Sequence, residues 1–289
     1  MPTNEYTPFE QMAVFLAREL KDGDVLRVGV AMPVAEAAVR LAHLTHGPNM
    51  ELIFLGARMN VAHLETIPMP AFGWDRRVVR WAESYSDTGH RFDRIKDWDR
   101  HVFFIGGVQV DPYGNTNLIG VGSDYQHLRF RGPGSVGTPT LSTHVGRYYI
   151  VLNSHTSRIF VEKCDFISAF GWGTGGADAR RKLGIPGGGP RYCVTPMCVF
   201  DFAEDTKRLR LRSRRADSGP GDRPPNGGRT ACVTNAGGSK RILATKRVKK
   251  GQSRWRNKKL STWKRSVTKR DDTRATTVLS VMDVKSTRG

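Results

Sequence analysis

A strand, a helix and a second strand follow one another within residues 25–55, joined by short turns. Val25 to Met32 is an apolar run with Gly29 inside it. Pro33 opens a helix that runs to about His46, with alanine at its packing positions. Gly47-Pro48-Asn49 stops that helix, and Met50 to Leu55 is a second apolar run. Strand, helix and strand in this order make a βαβ unit, which dictates a parallel sheet with a right-handed crossover. A helix precedes the unit. Thr7 caps it, Pro8 takes the first helical position and Glu10 completes a capping box. Phe9, Met12, Ala13, Leu16 and Leu20 then share one face, and Lys21-Asp-Gly-Asp24 ends the element.

Further along, His101–Ile105, Tyr148–Leu152 and Ile159–Val161 read as strands. Residues 207–212 alternate basic side chains with Leu209 and Leu211, as an edge strand does. Residues 76–85 read as a short helix carrying Val78, Val79 and Trp81, residues 87–100 as a charged exposed stretch, and Gly171 to Pro190 as a glycine-dense loop. The expected fold is α/β, a mostly parallel sheet flanked by helices on both faces. A chain of 289 residues with 38% hydrophobic residues can bury a core for it.

The charge is divided unevenly. Residues 213–289 hold 21 of the 46 lysines and arginines but only 5 of the 27 acids, and no Glu, Phe or Tyr. The net charge of +19 therefore belongs mostly to this tail. Two domains are expected on that basis: 1–212 folded, and 213–289 a basic tail whose composition reads as disordered. Three readings of the tail stay open: a nucleic-acid-binding arm with Trp255 and Trp263 stacking on bases, a functionless extension, or coding sequence read out of frame. The abrupt change of composition favours the last two, so nucleic acid is not the expected partner.

No run of 18 apolar residues occurs, and the N-terminus has neither a basic nor an apolar signal region. A cytoplasmic protein with no membrane partner is expected. Cys164, Cys193, Cys198 and Cys232 lack zinc-ligand spacing and read as free thiols. The eight histidines show no metal spacing. His144, just after a glycine-rich loop, is the one to test first as a substrate contact.

The functional signal lies in Gly106-Gly107-Val-Gln109-Val-Asp111-Pro-Tyr-Gly114-Asn115-Thr-Asn117. Glycines at the end of a buried strand admit a ligand or another backbone, and the turn behind them gathers an acid and amides. A purely structural Asx turn accounts for the same residues. Arg131-Gly132-Pro-Gly134-Ser-Val-Gly137 is a second glycine cluster, able to present backbone N–H groups to an anionic oxygen, with Arg129 and Arg131 beside it.

These two segments, followed by Arg158-Ile-Phe-Val-Glu-Lys-Cys-Asp165, resemble the β (B-type) subunits of family I CoA-transferases such as glutaconate CoA-transferase, and the CoA-dependent ring hydrolases of steroid degradation related to them. The resemblance spans residues 8–212. It implies a homologous α subunit as partner, in a heterodimer or heterotetramer, an acyl-CoA thioester as substrate, and no permanently bound cofactor. It also implies that Gly106, Gly107, Gln109, Asp111, Asn115, Asn117, Gly132, Gly134 and Gly137 line the acyl site. Transferases of this family attack the thioester with a glutamate placed just after the second strand. Leu55 holds that position here. Glu51 is at the wrong end of the strand, and Glu65 has no supporting motif. The β subunits of the ring hydrolases share this loss and take the working carboxylate from the α subunit.

Overall fold

The computed structural model describes residues 6–29, 31–54, 57–61, 82–85 and 97–214. The tail from residue 215, Leu55, Glu65, Cys232 and residues 76–81 of the helix expected at 76–85 lie outside them.

Helix α1 (Pro8–Glu19) starts at the expected box: the Thr7 side chain accepts from the Glu10 N–H, and the Glu10 carboxylate accepts from the Thr7 N–H. Strand β1 (Val25–Val28), helix α2 (Pro33–Thr45) and strand β2 (Glu51–Phe54) form the crossover unit. Gly29 falls just past β1. Then come β3 (Ala57–Asn60), β4 (Ser84–Tyr85), β5 (His101–Ile105), β6 (Gln109–Val110), β7 (Thr116–Asn117), β8 (Gly120–Val121) and β9 (Phe130–Arg131). Helix α3 (Thr138–His144), β10 (Arg147–Val151), a single-turn helix α4 (Ala179–Lys182), β11 (Pro190–Val194), β12 (Cys198–Phe202) and β13 (Leu209–Arg214) complete the described chain.

Among the described residues the large sheet has nine strands, in the order β13-β12-β11-β10-β5-β1-β2-β3-β4. β11, β10, β5, β1 and β2 are parallel, and both flanks turn antiparallel. β5 lies in the middle and is buried along its whole length, as a central parallel strand must be. Its alternate residues serve two cores. Val102 and Phe104 face α1 and α2, where Leu16, Ala35, Ala38 and Ala42 are fully buried. Phe103 and Ile105 face a second cluster with Val110, Leu141, Val145 and Phe160.

Three expectations change. Ser84–Tyr85, expected to end a helix, pairs with β3 as strand β4, its residues drawn into the sheet edge by backbone hydrogen bonding. Ile159–Val161 is not a strand; Phe160 makes one isolated bridge to Val110 and packs its ring against His155 and Phe200. The edge strand β13 continues to Arg214, two residues past the expected boundary. Among the described residues, no helix is long and apolar enough to cross a membrane. Cys164, Cys193 and Cys198 are buried free thiols.

Candidate functional site

Gly106 and Gly107 lie at the C-terminal end of the central parallel strand β5, where open α/β sheets hold their ligands. β5 runs directly into Gly106 and Gly107, then into the β6–β7 hairpin. A Cβ on Gly107 would lie 2.7 Å from the Thr116 methyl, so this glycine is needed for close packing. A Cβ on Gly106 would meet only the Val151 carbonyl oxygen, in ordinary contact at 3.8 Å, so the strand end has room for a small group.

The hairpin turn is closed by Asp111. Its Oδ1 accepts from the N–H groups of Tyr113 (2.9 Å) and Asn115 (3.0 Å), and its Oδ2 from Asn115 Nδ2 (2.7 Å). This is the Asx geometry that the local sequence permits. Burial lifts the Asp111 carboxyl above the ordinary range for aspartate, and the three hydrogen bonds oppose that rise. Asn115 reaches further. Its Nδ2 also donates to the Gly173 carbonyl (2.8 Å), and its Oδ1 accepts from the Gly171 N–H (2.9 Å). Gln109 and Asn117 form a second pair: Asn117 Nδ2 donates to Gln109 Oε1 at 2.6 Å and to the Gly120 carbonyl at 2.7 Å. All four residues are buried, none more than 6% exposed. Their polar atoms are taken up by one another, by neighbouring backbone and by the Asp165 carboxylate, so they shape the site from beneath.

The second glycine cluster is tied to the same place. The N–H groups of Gly132 and Gly134 donate to the carbonyls of Ile119 (2.8 Å) and Leu118 (2.9 Å), so neither is free for a ligand. Gly137 caps α3, its carbonyl accepting from the Leu141 N–H. Between them Ser135 Oγ meets Ser168 Oγ at 3.0 Å, and Val136 stands 94% exposed at φ +46°. Arg131 lies over the Tyr125 ring (4.9 Å) and donates to its hydroxyl.

Two residues weighed from the sequence lie at the starts of strands, not at the glycine end of β5. His144 sits at the C-terminus of α3, 5.3 Å from Trp98, beside the start of β5 rather than at its glycine end. Glu51 starts β2 and forms ion pairs with Arg58 and Arg100; the bond from Arg58 holds its carboxyl below the ordinary range. Leu55 lies outside the described residues. Cys164 is buried under the turn, donating to the Asn115 carbonyl at 3.2 Å, and burial pushes its thiol well above the ordinary range.

Two residues that brace the surroundings of the β6–β7 hairpin are not among the site residues read from the sequence. Arg180 is 3% exposed and donates to the carbonyls of Ser142, Thr143, Phe170, Gly171 and Gly187. It thereby clamps α3 to the loop that Asn115 grips. Asp165 is exposed, yet it bonds to buried Gln109. One is an arginine in a charged run and the other an aspartate in a loop, and neither pattern signals a tertiary contact.

Comparison with known proteins agrees with this architecture. The profile of the Coenzyme A transferase family matches residues 9–214. The B-type subunit of glutaconate CoA-transferase from Acidaminococcus fermentans is 32% identical over 237 residues, 80% of this chain and 86% of that protein. The B-type subunit of 3-oxoadipate CoA-transferase from Pseudomonas knackmussii is 35% identical, covering 68% of this chain and 73% of its own length. The cholesterol ring-cleaving hydrolase IpdB subunit of Mycobacterium tuberculosis is 28% identical over 75% of this chain and 81% of that protein. Among solved structures, glutaconate coenzyme A-transferase from Acidaminococcus fermentans superposes with a TM-score of 0.67 at 28% identity, covering 82% of this chain and 86% of that one. Rhodococcus jostii IpdAB shares the fold with a TM-score of 0.56 at 22% identity, covering 73% of this chain and 79% of its own. With the family profile spanning both glycine clusters and every strand of the parallel centre, the chain belongs to the coenzyme A transferase family.

Proposed function

We infer that this chain is the β-type subunit of an enzyme acting on acyl-CoA thioesters together with a homologous α subunit. The observation that carries the reading is the turn after β5, whose buried Asp111–Asn115 and Gln109–Asn117 pairs set an open glycine at the mouth of the parallel strands. Two relatives matched along most of their length are B-type subunits of CoA-transferases. In this arrangement Gly106 borders the acyl group. Gly107, Gln109, Asp111, Asn115 and Asn117 fix the backbone around it, and Gly132, Gly134 and Gly137 shape the neighbouring wall. Coenzyme A enters as part of the substrate. The buried thiols Cys164, Cys193 and Cys198 suit the reducing cytoplasm, where we place the enzyme.

A second reading is favoured by one residue. Leu55 cannot act as a nucleophile, so the working carboxylate comes from the partner, as the resemblance to the ring hydrolases implies. That chemistry adds water across a carbon–carbon bond of a ring-derived acyl-CoA.

Co-expression with the α subunit, followed by mass spectrometry of acyl-CoA mixtures, separates the two. Transfer yields a new CoA thioester on an added carboxylic acid. Ring opening adds one water to the thioester and leaves CoA attached. The isolated chain is expected to be inactive and poorly soluble, because Tyr125, Phe130, Val136 and Ile167 are each at least 50% exposed on segments around the site. Full turnover by the single chain would overturn the reading.

A further inference from the structure

Asp165 follows β10 in a loop at the same end of the sheet, and it ties together two hairpins while belonging to neither. Its Oδ2 accepts from the Gln109 Nε2 at 3.1 Å and from the Gly122 N–H at 2.8 Å. Its own N–H donates to Gln109 Oε1 at 3.0 Å. Gln109 belongs to β6, beneath the site. Gly122 follows β8, whose hairpin partner β9 carries Arg131. Next to Asp165, the Phe166 ring meets Tyr125 edge-on at 6.2 Å, so the same loop also supports the hairpin's aromatic tip. Gly122 has φ +148°, a conformation that a side chain rarely takes, and the bond to Asp165 holds it there. Gln109 is 5% exposed; without Asp165 its Nε2 is a buried donor with no partner.

We propose that Asp165 is a positioning residue for the acyl-CoA reaction. Through one carboxylate oxygen it sets the β8–β9 hairpin against the Gln109–Asn117 pair, and with it the exposed Tyr125–Arg131 stack against the acyl end of the site. The other oxygen has no partner among the described residues, so both bonds depend on Oδ2 alone. The proposal rests on the reading of this end of the sheet as the acyl-CoA site. It differs from a catalytic role in a way that can be measured: a positioning residue needs an acceptor oxygen, whereas a reacting group needs the charge.

Asp165→Asn keeps an acceptor oxygen for both donors and removes the charge; Asp165→Ala removes both. Each is made in the complex with the α subunit. Steady-state kinetics with the acyl-CoA, its pH profile, and hydrogen–deuterium exchange over residues 118–131 are recorded. Asp165→Ala is expected to lower kcat/KM at least about tenfold, mainly through KM, and to raise exchange at Gly122. Asp165→Asn is expected to stay within about threefold of the native enzyme with an unshifted pH profile. Should Asp165→Ala fail to fold, Asp165→Glu replaces it: it keeps the charge, displaces the acceptor by one methylene and is expected to raise KM. Loss of turnover in Asp165→Asn with normal exchange at Gly122 would overturn the proposal in favour of a reacting carboxylate. Native kinetics and exchange in Asp165→Ala would overturn it altogether. A native complex that turns over no acyl-CoA would refute the functional reading instead, and the exchange at Gly122 would still decide whether Asp165 couples the hairpins.

Discussion

Asp111 carries a buried carboxyl whose pKa burial raises above the ordinary aspartate range. Three donors, two of them backbone, converge on it and offset the cost of taking a charge out of water. Asp111→Asn forces an amide against at least one of those donors. It is expected to cost about 1–3 kcal/mol of stability. It should also lower kcat of the complex at least about tenfold, because Asn115 then loses its grip on the loop at Gly171 and Gly173. Thermal melts and turnover check both; unchanged kcat in a folded complex would make the turn purely structural. Val136 presents the opposite case. A β-branched residue at φ +46° is strained by about 1–2 kcal/mol, and its side chain is 94% exposed, so no packing compensates. Val136→Gly relieves the strain but enlarges the freedom of the unfolded chain, and the isolated subunit is expected to gain up to about 1 kcal/mol. If the strain holds an apolar contact for the partner or the acyl group, kcat/KM of the complex falls in that stabler variant. The pair of measurements separates the two contributions.

Strand β5 joins the site to a charged belt at its other end. It begins with His101, 1% exposed, whose Nδ1 accepts from Arg27 Nε at 3.1 Å while Nε2 faces Asp97 at 3.3 Å. Burial first, and the Arg27 charge second, hold the imidazole down at about 4 from an ordinary 6.5. The unfolded chain therefore binds a proton at higher pH than the folded one. Stability is full above the unfolded value, falls as pH drops from 6.5 to about 4, and then levels off. The loss amounts to at most about 3.5 kcal/mol. Melting temperature against pH should show it, and His101→Gln, which offers an acceptor to Arg27 and a donor to Asp97 without titrating, should flatten that window. β5 was legible in the sequence because a five-residue apolar run between a charged stretch and a glycine pair has few alternatives. The α1 cap was legible for an equally local reason. The β8–β9 hairpin was not: each strand has two residues, and they are joined by a polar loop with no alternation to read. Ile159–Val161 misled because an apolar triplet fits a strand and a packed loop equally well, and here tertiary packing of Phe160 decided. In the site, the acids and amides of the turn could be named from sequence. That they would face one another depended on Gly171, Gly173 and Asp165, more than forty residues away.

At the scale of the molecule, charge and fold part company at the end of β13. That strand pairs with β12 through Ser213 opposite Val199 and Arg214 opposite Cys198, and the family profile also ends at residue 214. A chain cut after Arg212 loses both pairings; a chain cut after Arg214 keeps the sheet edge whole. Residues 215–289 are rich in lysine and arginine and contain no Glu, Phe or Tyr, so they can supply little apolar burial to the core. Removing them is expected to shift stability by under about 1 kcal/mol, or a melting temperature by about 2–4 °C, and to leave turnover with the α subunit unchanged. Limited proteolysis of the full chain should cut first between residues 215 and 250, where trypsin sites are dense. Reading the gene around the Ser213 codon in the other frames adds an independent measurement, since an acidic continuation of the family pattern there would mark the tail as out of frame. The outcome that defeats this view is a tail that resists protease and shifts DNA in a salt-dependent manner, with the shift lost in the 1–214 chain; the basic segment would then be a nucleic-acid arm on a CoA-transferase fold.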